Sequence, residues 1–154
     1  MIERGERPLG WRSRGRSERG AALLEMALTL PLLLLVCVGI LEFGRAYQTW
    51  QVLTNAAREG ARVAVLPNID NTTVTTRVRT YMTDGQLPNA VSASVVIDRN
   101  QAMAIGAATT TASQVTVNYP FNFVVLDPIA RLATGQGGFD STVNIVASAT
   151  MRNE

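Results

Sequence analysis

The hydrophobic pattern changes character along the chain. Residues 21–41, AALLEMALTLPLLLLVCVGIL, are apolar on every side of a helix and carry one charge, Glu25. At 1.5 Å per residue the run makes a helix of about 31 Å, the thickness of a bilayer core. Nine Leu, two Val and one Ile, at roughly −0.5 kcal/mol each, outweigh one carboxylate near the end of the run. From residue 42 to 66 the pattern becomes one-sided. Ala46, Ala57, Gly60, Ala61 and Ala64 form a low-relief strip, with Trp50, Leu53 and Val65 adding apolar bulk on nearby faces. The strip is a candidate packing surface, either on the chain's own sheet or on a neighbouring subunit. Arg58 and Arg62 fall together at i,i+4, with Glu59 in reach of Arg62, as on a solvated outer face. Pro67-Asn68 ends the helix.

Shorter elements follow. Asn71 is placed to cap a second helix, Thr72 to Thr83, whose Val74, Val78, Tyr81 and Met82 share a face. Asp84-Gly85 breaks it. Val91 to Asp98 reads as a strand, residues 99–112 as an Ala- and Thr-rich loop or hairpin connection, and Gln114 to Tyr119 as a clearly alternating strand. Residues 120–123 extend that strand or bend away. A short helix is expected from Asp127 to Ala133, a flexible loop over Gly135 to Gly138, and a final strand from Ser141 to Met151 with Val143, Ile145, Ala147 and Ala149 on one face. The predicted class is α+β: a long N-terminal transmembrane helix continuing into a small domain with a three- to four-stranded antiparallel sheet. About 90 residues beyond the anchor helix support only a marginal core, so the upper helix is expected to cover one sheet face.

Charge orients this arrangement. The chain has 154 residues and a net charge of +2, and all 14 basic residues are Arg. Residues 1–20 hold six Arg against three acids, so the basic excess lies in a Gly/Arg/Ser-rich leader. Positive charge before an apolar span keeps that side in the cytoplasm, which places residues 42–154 outside. The leader, not the folded part, accounts for the pI of 9.2, and no nucleic-acid partner is expected. A cleaved secretory signal fits poorly, since the apolar run is long and lacks an A-x-A-like site.

Within the span Glu25 stands out, because a carboxylate in lipid costs free energy and is a functional hypothesis by default. It follows Gly20 by five residues in Arg19-Gly20-Ala21-Ala22-Leu23-Leu24-Glu25. A basic leader ending in Gly, with Glu five residues into an apolar helix, resembles the type IV pilin-like class. The segment from Gly20 through Pro31 with its Leu run, then Ala56-Ala57-Arg58-Glu59-Gly60-Ala61-Arg62-Val63-Ala64, looks like a TadE-like protein, a minor pseudopilin of the tight-adherence (Tad) pilus. Ala147 to Arg152 resembles the family's final strand. Met26 follows Glu25 where major pilins of the system carry Tyr, which favours a minor component. The resemblance implies cleavage between Gly20 and Ala21 by a prepilin peptidase. It also implies pairing of Glu25 with the new N-terminal ammonium of a neighbouring subunit. The implied partners are other pilins or pseudopilins, the Tad assembly machinery and the lipid bilayer. Pro31 removes the bond to the Ala27 carbonyl and predicts a kink, which a neighbouring helix or the Thr29 hydroxyl can offset.

Enzymatic chemistry is not expected. Without His there is no Ser-His-Asp triad or imidazole zinc site, and the lone Cys37, inside the apolar run, reads as a small filler. There is no GxSxG, P-loop or Rossmann glycine pattern, and Asp70, Asp84, Asp98, Asp127 and Asp140 are too scattered for a calcium loop. Neither cofactor nor metal is predicted. The competing function is a membrane-anchored extracytoplasmic binding module that keeps its leader and never polymerises.

Overall fold

A computed structural model of the chain describes residues 14–106, 108–135 and 143–153. The leader's residues 1–13 and the loop residues 136–138 lie outside them. The chain divides into two units, residues 1–39 and 40–154. Helix α1, Arg14–Ala64, supplies the described part of the first unit and opens the second. It begins seven residues before the apolar run, so the end of the leader is helical. Once a helix is nucleated, adding residues such as Arg, Ser and Glu at its end costs little.

The described part of the first unit is a single helix. Residues 20–37 are exposed throughout. By length and composition the helix is long and apolar enough to cross a membrane, with a mean hydropathy of 2.4 over its apolar window of 18 residues.

The second unit is α+β. Helix α2 (Asn71–Asp84) is followed by a 3-10 turn at Ala90–Ser92, strands β1 (Ser94–Ile105) and β2 (Ala108–Phe121), helix α3 (Leu126–Thr134) and strand β3 (Val143–Arg152). The strands form one antiparallel sheet in the order β1-β2-β3. β2 is central: Val115 and Val117 lie between Ile97 and Val95 on one side and Ala149 and Ala147 on the other. The core follows the two periodicities. α1 contributes Leu53, Ala57, Ala61 and Ala64, α2 contributes Val74, Val78 and Met82, and β2 contributes Val115, Val117, Tyr119 and Phe121 at every second position.

Two expectations need correction. Residues 99–112 are sheet rather than connection: β1 and β2 run almost to the turn at Gly106, with Ala102 opposite Thr111 and Ala104 opposite Thr109. Ala102 and Ala104, of weak strand preference, are held there by their β-branched Thr partners across the ladder. The cap of α2 is Asp70, not Asn71; its carboxylate accepts from the Thr73 amide at 3.1 Å. The Asn71 side chain instead accepts from Arg99 at 3.1 Å.

Arg99 is the cross-tie of the unit. It follows Val95 and Ile97 on the inner parity of β1, where the register shifts between Asp98 and Gln101. Its guanidinium donates to the carbonyls of Ala64 at 2.7 Å and Ile69 at 2.8 Å. It thereby satisfies an orphan carbonyl at the end of α1 and holds the turn into α2.

Candidate functional site

The N-terminal candidates lie on one helix, and the first unit covers none of them. Gly20 and Ala21 are exposed in helical backbone, and a Cβ built on Gly20 meets nothing within 4 Å. Glu25 is exposed too, and among the described side chains no cation lies within ion-pair distance of it. The Thr29 hydroxyl donates to the carbonyls of Glu25 at 3.0 Å and Met26 at 3.4 Å. Those partners precede Ala27, so the hydroxyl does not replace the bond that Pro31 removes at the Ala27 carbonyl. The helix nevertheless continues through Pro31.

The small-residue strip has a different fate. Ala57, Ala61 and Ala64 are buried in the chain's own core. Gly60 is the tightest point, because a Cβ there would lie 2.5 Å from Val78 Cγ2 and 3.2 Å from Val115 Cγ1. No other residue lets α1 approach α2 and β2 this closely. The charged residues beside the strip form a small network. Glu59 Oε1 accepts from Arg77 Nε at 3.1 Å and Nη2 at 2.9 Å, and Arg62 Nε lies 3.3 Å from the other oxygen. The Arg77 hydrogen bonds, with help from Arg62, hold the Glu59 carboxyl below its usual range against the opposing effect of burial.

A cluster near the start of the second unit was not foreseen. Glu42, the residue after the apolar run, is only 5% exposed. Its carboxylate accepts from the backbone amides of Val124 (3.1 and 3.2 Å) and Val125 (3.2 Å). Arg45 sits 3.6 Å from the same carboxylate, donates to the Asn122 carbonyl and stacks over the Phe121 ring at 4.9 Å. Phe43 packs edge-on to Phe123, which packs edge-on to Phe121. The Glu42 carboxylate, two backbone amides and the Arg45 guanidinium thus strap residues 121–125, and so the start of α3, to α1 at residues 42–45. Buried carboxylates need such partners. Nothing local marks Glu42 in the sequence, since its amide partners lie more than 80 residues away; the signal available was a charge placed one step beyond an apolar span.

The family described as TadE-like protein matches residues 20–62. Over that segment the chain is similar to TadE-like proteins. The match supports a TadE-like protein of the Tad pilus system. Searches of curated proteins and of solved structures gave no significant match. The matched segment opens at Gly20, contains Glu25, Pro31 and Glu42, and ends within the small-residue strip. The C-terminal strand lies outside it. Among the described residues no three His, Cys, Asp or Glu side chains are grouped as a metal ion would require. A cleft of about 410 Å³ lies beside the strap, lined by Arg45, Gln86, Pro88, Asn89, Tyr119 and Asn122 among others. Its walls are tied internally: the Tyr119 hydroxyl donates to the Pro88 carbonyl, and burial raises the Tyr119 pKa.

Proposed function

We propose that the chain is a minor pseudopilin that takes part in assembly of a Tad pilus. Residues 21–41 cross the cytoplasmic membrane once, with the Arg-rich leader inside and residues 42–154 outside. A prepilin peptidase removes the leader after Gly20, where the absence of a side chain suits close approach of the protease to the scissile backbone. The new ammonium at Ala21 and the Glu25 carboxylate of adjacent subunits then pair as their helices pack. A paired carboxylate in lipid avoids much of the cost of an isolated one. The work of the protein is assembly, not catalysis.

One observation carries this reading: the matched family segment begins at Gly20, on a helix whose exposed surface bears Glu25, with no cation among the described side chains beside it. A surface of this kind awaits lipid and another subunit. The test is Glu25→Ala in a piliated host. Membrane insertion is retained and pilus number falls sharply. Normal piliation of the variant removes the role assigned to Glu25.

A further inference from the structure

Helix α3 presents its apolar side outward. Val125, Ile129 and Leu132 recur at i, i+4 and i+7, on one face. Leu132 is 89% exposed, Val125 39% and Ile129 38%. The polar pair lies on the opposite face, where Arg131 bonds Asp127 at 2.9 Å. A helix of a water-soluble domain turns its apolar stripe inward; α3 does the reverse. Its start is strapped to Glu42 and Arg45, and Glu42 directly follows the apolar run. Along a helix Glu42 lies about 1.5 Å, and Phe43 about 3 Å, beyond residue 41. The polar headgroup layer on each side of the hydrocarbon is about 5–7 Å deep. The strap therefore fixes the first turn of α3 within that layer. An outward apolar stripe with its charges on the far side suits a helix lying in the interface plane.

We propose that α3 is a second membrane contact: a helix that inserts Val125, Ile129 and Leu132 among the acyl chains and headgroups beside the point where α1 leaves the bilayer. Phe43, 64% exposed, adds to the same contact. The outer domain is thereby held at two points, the span and α3. This proposal rests on the membrane-spanning reading of residues 21–41 given above.

The full chain, in a Cys37→Ala background, is reconstituted into vesicles of phosphatidylethanolamine and phosphatidylglycerol. An environment-sensitive fluorophore is attached through Leu132→Cys, Ile129→Cys, Val96→Cys on the exposed side of the sheet, or Leu34→Cys inside the span. Lipids carrying nitroxide near the headgroup are expected to quench the probes at 129 and 132 and to leave that at 96 bright. Nitroxide deep in the acyl chains is expected to quench the probe at 34. A quenched 34 with 129 and 132 as bright as 96 overturns the α3 contact alone. Self-quenching between probes at 132 that persists as lipid is added, without nitroxide quenching, also overturns it and assigns the face to a second copy. An unquenched 34 overturns the spanning reading and this proposal with it.

Discussion

Gly60→Ala offers a sharp test of the packing, because two effects of known sign oppose each other. Gly60 has ordinary helical backbone, without a positive φ, so alanine brings no backbone strain. Helix propensity alone makes Gly60→Ala stabilising by about 1 kcal/mol. Packing opposes it. The new methyl falls 2.5 Å from Val78 Cγ2, and Val78 is fully buried and β-branched, with little freedom to rotate away. Overpacking of this kind costs about 1–3 kcal/mol, and the contact here is at the severe end. The net expectation is destabilisation by about 1–2 kcal/mol. Gly44→Ala is the internal control. Gly44 is on the same helix with nothing within 4 Å of the added methyl, so propensity acts alone and the variant gains stability. Val78→Ala removes the clashing methyl. On its own it costs at least about 1.6 kcal/mol of lost burial; combined with Gly60→Ala it costs less, since the new methyl refills the space. Urea-dependent pulse proteolysis of the detergent-solubilised chain measures all four proteins. A Gly60→Ala variant as stable as the parent, or strictly additive single and double variants, refutes the close approach of α1 to α2 and β2.

Further outcomes follow from the same contacts. Glu42→Gln halves the acceptor capacity that the Val124 and Val125 amides share and removes the negative charge that faces Arg45; amide hydrogen exchange at Val124, Val125 and through α3 is expected to rise while exchange in β2 is unchanged. Acid acts through Asp70 and Glu59. Hydrogen bonds from Thr73 lower the Asp70 pKa, and those from Arg77 lower that of Glu59. A carboxyl depressed in the folded state stabilises it above the unfolded pKa and ceases to do so as pH falls through the folded one. Stability therefore declines as pH drops below the ordinary values of 4.5 and 3.8, and Asp70→Asn with Glu59→Gln flattens that decline in a pH series of urea midpoints.

The readable parts of the molecule were those written in local spacing. The uninterrupted apolar run, the Gly20–Glu25 interval and the alternation of Val115, Val117 and Tyr119 each depend on residues a turn or two apart, and periodicity exposes them directly. The sheet hairpin at 99–112 was misread because its Ala, Asn and Gln residues carry little strand signal of their own and outweigh the short Thr109–Thr111 run; pairing across the turn decides their conformation. The α2 cap was misassigned by one residue because Asp70 and Asn71 are equally good caps, and only the position of Arg99, 28 residues on, commits Asn71 elsewhere. Glu42 is the clearest case of a site beyond sequence reach. On a helical wheel it is one more charge after the span, whereas in the fold it is a buried acceptor for a segment near residue 124.

The account turns on whether the chain is a processed pilin-like precursor. N-terminal sequencing of the mature protein, isolated from membranes of a host that carries a prepilin peptidase, tests it most directly. The predicted start is Ala21, and replacing Gly20 with a bulky residue leaves the precursor uncut. An intact leader on the native sequence, in cells whose peptidase processes other pilins, contradicts the account and supports an anchored module that does not polymerise.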